Sequence, residues 1–166
     1  EVIPDHLDSV LQKLAEMGAK INTTSNSITI EPGDLKPVDM KTAVYPGFAT
    51  DLQAQWVALM SLADGSSMVT DTVYHDRFSH VPELNRFGAN IKVDKNTAFI
   101  RGVKELVGAP VMSTDIRASA ALIIAALAAN GQTEVSRVYH IDRGYERIEE
   151  KFRKLGAEIS RVNIQS

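Results

Sequence analysis

Apolar positions along this 166-residue chain follow two rhythms, one with a period of about 3.6 and one that alternates. Leu7, Val10, Leu11, Leu14 and Met17 share one face of a helix written PDHLDSVLQKLAEMG. Leu84 and Phe87 precede Gly88 in the same way, and Tyr145, Ile148, Phe152 and Leu155 precede Gly156. Each glycine is a natural stop, because it tolerates the left-handed backbone that ends many helices. INTTSNSITI and IKVDKNTAFI alternate around polar turns and predict strand hairpins. VDMKT and APVMS predict one further strand each, and SSMVTDTV and QTEVSRV another. Two more helices lie between these strands. Thr50 and Gln53 form a capping box before DLQAQWVALMSLAD, which Gly65 ends; Thr114 opens DIRASAALIIAALAAN, which Gly131 ends.

The elements repeat. Gly-Ala-x-Ile occurs at Gly18, Gly88 and Gly156, separations of 88−18 = 70 and 156−88 = 68. Thr-Asp-aliphatic recurs at Thr50 and Thr114, and Asp-Arg at Asp76-Arg77 and Asp142-Arg143. Markers that keep their order at one spacing indicate an internal duplication, with the unit α-β-β-β-α-β. Past Arg117 and Ser119, the helix beginning at Asp115 has no polar face: Ala120 to Ala129 are all Ala, Leu or Ile. A helix apolar all round is buried on every side, and alanine permits close approach of neighbours. The expectation is an α/β fold with helices inside and sheets outside, the reverse of an ordinary α/β barrel.

Composition narrows the chemistry. Hydrophobic residues at 44% and charged residues at 23% are those of a globular domain. A net charge of −3 offers no general attraction to nucleic acid or an anionic membrane, so an anion site must come from a local cluster of Arg and Lys. No Cys occurs, which excludes disulfides, thiolate metal sites and a cysteine nucleophile within this chain. Ala118 to Ala129 is too short to span a bilayer, no signal peptide is visible, and a cytoplasmic setting is expected. The chain opens at Glu1 without Met and enters a helix at once, so a segment of something longer is expected.

Three features could carry function. Asp51, after YPGFAT, opens a buried helix, where a carboxylate also serves simply as a terminus stabilised by the helix dipole; the same holds for Asp115. Each Asp-Arg pair reads either as a salt bridge fixing a corner or as a source of guanidinium for a site. STDIRAS crowds Asp115, Arg117 and Ser119 at a helix N-terminus, either an anion site or a self-neutralising pair. His6, His75, His80 and His140 lack metal-ligand spacing, and neither a glycine-rich phosphate loop nor a Gly-x-Ser-x-Gly elbow is present, so no metal or cofactor is expected.

YPGFATDLQAQ, VYHDRF, STDIRASAALIIAALAANGQT and VYHIDRGYERIEEKFRKLGAEI closely resemble the UDP-N-acetylglucosamine 1-carboxyvinyltransferase family, over nearly the whole chain. The resemblance implies an inside-out α/β barrel of βαβαββ-like units, three to a domain in two domains. This chain would then hold about two of the three units of the catalytic domain, near 1–80 and 81–166, without the second domain. It implies that Asp51 contacts the sugar 3-hydroxyl and accepts its proton, that Val73 contacts the UDP-sugar through its backbone, and that Arg143 holds the phosphate or carboxylate of phosphoenolpyruvate. Arg77, Asp115 and Arg117 would line the interdomain cleft. The family's mobile loop with its cysteine or aspartate, and its N-terminal lysine, have no counterpart here. The fragment is expected to be inactive alone, to depend on the missing N-terminal part, and to self-associate through open edges. Two other readings compete: a sister transferase acting on shikimate 3-phosphate, and a non-catalytic repeat domain that packs on a partner.

Overall fold

The computed structural model describes residues 2–162. After a 3-10 turn over Pro4–Leu7, α1 (Asp8–Met17) closes at Gly18, whose φ of 121° is one that glycine adopts without steric cost. Gly88 and Gly156, its counterparts in the repeat, also have positive φ. β1 (Lys20–Thr23) and β2 (Ile28–Glu31) form the first hairpin. β3 (Met40–Lys41), a 3-10 turn (Thr50–Leu52), α2 (Gln53–Met60) and β4 (Ser66–Thr70) follow. The order then recurs as α3 (His80–Arg86), β5 (Asn90–Asp94), β6 (Thr97–Arg101), β7 (Pro110–Met112), α4 (Ile116–Ala128) and β8 (Glu134–Ser136). The corner after β8 is built by α5 (Tyr139–Asp142) and α6 (Ile148–Lys154).

The halves interlock through a shared sheet, ordered β3-β4-β6-β5. β3 lies parallel to β4, and the second-half hairpin adds antiparallel to β4, with Val69 opposite Ala98. Alternation sends Val69, Ala98, Ile91 and Ile100 inward, all buried, while Met68 and Phe99 stay half-exposed on the outer face. Against the inner side lie α2 and α4, packed on each other. Val57, Met60, Ala121 and Leu122 are fully buried there, and full burial of such a side chain is worth about 1.5–3 kcal/mol for the larger ones. Helices inside and sheets outside is the inverted arrangement that the all-apolar helix pattern predicts.

β7 and β8 repeat the parallel β3-β4 pair, with Val111 opposite Val135. The outer edge of β7 is closed by α3: Glu83 Oε2 accepts from Met112 N at 2.8 Å and Arg86 Nε donates to Pro110 O at 2.9 Å. β8 has no strand on its other side among the described residues, although β4, its counterpart, takes β6 there.

Three local expectations are corrected. No side chain caps the Thr50 turn or α2. The Thr50 hydroxyl donates instead to the Asp71 carboxylate at 2.7 Å, and the buried Gln53 amide donates to Arg77 O at 3.2 Å. A capping hydroxyl accepts from a backbone N–H, and the Thr50 oxygen accepts instead from Arg77 Nη1 at 3.2 Å, a charged and therefore stronger donor. The second helix begins with Asp115 as N-cap, not Thr114. Nor is that helix buried all round: Leu127 is 42% exposed near its C-terminus.

Candidate active site at the mouth of the buried helices

The N-terminal ends of α2 and α4 open on the same side, and the loop from Asp71 to Ser79 runs past both. Asp115 caps α4: its Oδ1 accepts from Arg117 N at 2.8 Å and Ala118 N at 3.0 Å. Its Oδ2 accepts from Ser79 Oγ at 3.0 Å, tying the loop to the helix. Burial pushes the Asp115 pKa up, but the Ala118 N–H, the Ser79 hydroxyl and the Arg117 N–H outweigh it and hold the carboxyl below the ordinary 3.8.

The Arg117 side chain turns away from its own cap. Its Nε donates to Asp51 Oδ1 at 2.6 Å, an ion pair between residues 66 apart in sequence. Arg77 Nη1 approaches the same oxygen at 3.5 Å and donates to Thr50 Oγ1 at 3.2 Å. Its guanidinium lies 3.7 Å from the centroid of the Tyr74 ring, a cation–π contact. Asp51 Oδ2 has no partner among the described residues, and the side chain is 66% exposed. A cleft of about 280 Å³ lies beside this cluster, lined by Tyr74, His75, Asp76, Arg77, Ser79 and Asp115.

Asp51, Arg77, Asp115 and Arg117 therefore come together, and Val73 sits in the adjoining loop. Arg143 is not joined to them by any hydrogen bond among the described residues. It follows α5 as an exposed side chain, and its neighbour Gly144 packs so closely on Ile116 that an added Cβ would collide with Ile116 Cδ1. That close approach brings the Arg143 backbone to the first residue of α4.

Neither Asp-Arg pair closes on itself, which corrects the salt-bridge reading. Asp76 is exposed while Arg77 takes Asp51. Asp142 binds both terminal nitrogens of Arg161, at 2.9 and 2.7 Å, and Arg161 reaches Glu149 as well. Those hydrogen bonds from Arg161 lower the Asp142 and Glu149 pKa values. Adjacent residues at a corner point in different directions, so sequence adjacency does not make a pair.

Sequence reasoning missed Asp71. It is wholly buried, and its two oxygens accept from Thr42, Thr50, Val73 N and Tyr74 N. Burial raises its pKa, but these four hydrogen bonds prevail and the carboxyl lies below 3.8. Thr-Asp-Thr after an aliphatic strand is the one local sign, and it does not distinguish a buried hub from a turn. His80 is 2% exposed, and desolvation pulls its pKa down to about 4 despite nearby Asp115.

A family model described as EPSP synthase (3-phosphoshikimate 1-carboxyvinyltransferase) matches residues 1–152. The chain belongs to the EPSP synthase family. Within the family it is 57% identical, over 99% of its length, to a protein of Chlorobium chlorochromatii named UDP-N-acetylglucosamine 1-carboxyvinyltransferase. A protein of the same name from Chloroherpeton thalassium is also 57% identical, over 97% of the chain. The chain spans only 39% and 38% of these two relatives. The enolpyruvyl transferase NikO of Streptomyces tendae superposes on 92% of the chain with a TM-score of 0.83 at 30% identity, the match covering 36% of NikO. EPSP synthase of Acinetobacter baumannii, at 18% identity and a TM-score of 0.56 over 76% of this chain and 31% of its own, shares the fold.

Proposed function

We propose that this chain is part of an enzyme that transfers the enolpyruvyl group of phosphoenolpyruvate to the 3-hydroxyl of UDP-N-acetylglucosamine, with release of phosphate. The observation that carries the reading is the 57% identity, across 99% of the chain, to a transferase named for that sugar nucleotide. The geometry is suited to it. Arg117 and Arg77 both hold Asp51 Oδ1, so Oδ2 is left to accept the hydroxyl proton as the sugar oxygen adds to C2 of phosphoenolpyruvate and C3 takes a proton. Phosphate then leaves as C3 returns its proton. A positioned carboxylate contributes about 10²–10⁴ in rate to such a step.

Val73 spends its N–H on Asp71, so its carbonyl is the backbone group left for the sugar nucleotide. Arg143, exposed beside the start of α4, is suited to the phosphate or carboxylate of phosphoenolpyruvate, since its planar fork binds either oxyanion in bidentate fashion. In this reading the chain supplies about two of the three units of the catalytic domain, and the substrates are completed by the rest of the enzyme. The reaction would commit the sugar to peptidoglycan in the cytoplasm, and thereby serve wall growth, cell shape and division.

The test exchanges this chain for the matching segment of the Chlorobium chlorochromatii relative and measures phosphate release from phosphoenolpyruvate. Release with UDP-N-acetylglucosamine, and none with shikimate 3-phosphate, supports the reading; the opposite preference replaces it with the sister reaction. The isolated chain is expected to release none, and turnover by it alone would overturn the assignment of a part.

A further inference from the structure

We propose that Asp71, which lies too deep to touch substrate, is a positioning residue that aims Arg77, and through it Asp51. Its catalytic consequence rests on the function proposed above; its structural consequence does not. The Asp71 backbone is locked by the β5-β6 turn: its N–H donates to Asn96 O at 2.8 Å, and Asn96 Nδ2 donates to its carbonyl at 3.0 Å. From that fixed point the carboxylate works in two directions. Oδ2 takes the proton of Thr50 Oγ1 at 2.7 Å. A hydroxyl has one proton, so Thr50 can meet the Arg77 guanidinium, 3.2 Å away, only as an acceptor. Oδ1 gathers Thr42 Oγ1 and the Val73 and Tyr74 amides at 2.8, 3.0 and 2.9 Å, which fixes the loop that puts the Tyr74 ring against the same guanidinium. One buried carboxylate thus sets both supports of Arg77, a lone pair and an aromatic face. Arg77 in turn bears on Asp51 Oδ1.

The repeat supplies an internal control. Asp71 corresponds to Arg137, since 137−71 = 66 is also the spacing of the two Asp-Arg pairs. The second corner turns with Arg137 exposed, at a φ of 56°, and with no buried carboxylate in that position. A strand-to-helix corner of this fold is therefore made without the acid, and Asp71 is placed where the Asp51 cluster needs it.

Nuclear magnetic resonance on the full 166-residue chain tests this by following the Arg77 Nη–H signals, since Nη1 is the donor to Thr50. In Asp71→Asn the amide nitrogen faces Thr50 as a donor, so the hydroxyl proton turns toward Arg77 and repels it. The expected result is Arg77 Nη1–H exchange with water faster by about fivefold or more, a loss of roughly one hydrogen bond. Thr50→Val should give the same change and Thr50→Ser none, with the double variant no worse than either alone. An unchanged Arg77 signal in folded Asp71→Asn overturns the proposal; should that variant not fold, an unchanged signal in Thr50→Val overturns it equally. In the chimeric enzyme, Asp71→Asn and Thr50→Val should each lower kcat about tenfold while KM for the sugar nucleotide stays within about twofold. Losses confined to KM would refute the positioning role. A parent chimera that releases no phosphate would instead sink the function and leave the Arg77 result standing.

Discussion

Replacing Asp115 by alanine removes the acceptor for two backbone N–H groups at the head of α4 and the partner of Ser79. Loss of an N-cap side chain costs about 0.5–2 kcal/mol. The missing charge at the positive end of a helix dipole adds about 0.3–1 kcal/mol. The Ser79 contact is at an exposed hydroxyl and adds little. A destabilisation of about 1–3 kcal/mol follows, and for a chain of this length each kcal/mol lowers Tm by about 2–4 °C. Circular dichroism melts at pH 7 check the value. Asp115→Asn keeps an oxygen for the amides and should lose only the charge contribution. Alanine and asparagine falling together, or alanine costing less than about 0.3 kcal/mol, would refute the capping argument. The pH dependence supplies a second check. The folded pKa lies below the unfolded 3.8, so the carboxylate's contribution is fully present above 3.8 and is lost as pH falls through the folded value. The difference between wild type and Asp115→Ala should therefore shrink on acidification below pH 3.8 and stay flat from pH 5 to 7.

Three further outcomes are expected. Asp51→Asn in the chimeric enzyme should lower kcat by about 10²–10⁴ with KM little changed, and near-normal turnover in a phosphate-release assay would remove Asp51 from proton transfer. Leu122→Ala, at a fully buried position between α2 and α4, should cost about 2–5 kcal/mol in urea denaturation, against less than 0.5 kcal/mol for a change at an exposed site such as Lys92. The isolated chain should grow in mass with concentration in light scattering, because β8 has no strand along its other edge among the described residues and Leu127 is exposed nearby in sequence; a strict monomer across the range would count against that.

Much of the architecture is legible in the sequence because it is encoded over short distances. Both hairpins, the glycine stops and the order of helices and strands follow from periodicity and turn chemistry acting over a few neighbours. The all-apolar run from Ala120 led directly to an interior helix. Local rules failed where a distant group competed: Thr50 has a capping partner three residues on, yet its hydroxyl oxygen accepts from Arg77, 27 residues away. The exposure of Leu127 was equally hidden, since a composition of Ala, Leu and Ile says that a helix wants cover and not whether each side receives it.

The site divides along the same line. Residue types, helix termini and the repeated Asp-Arg corners are properties of the chain as written, and they name Asp51, Asp115, Arg77, Arg117 and Arg143 as candidates. Which carboxylate each arginine takes was decided only in the tertiary structure: α2 packing on α4 brings Arg117 to Asp51 across 66 residues, and the chain after α6 returns Arg161 to Asp142 at the end of α5. Backbone preferences reach about one helical turn, whereas ion pairs and buried hydrogen bonds depend on where whole elements come to rest. Asp71 is the clearest case: its Thr-Asp-Thr setting suits a turn as well as a buried hub, and burial among four donors makes it the fixed point of the corner.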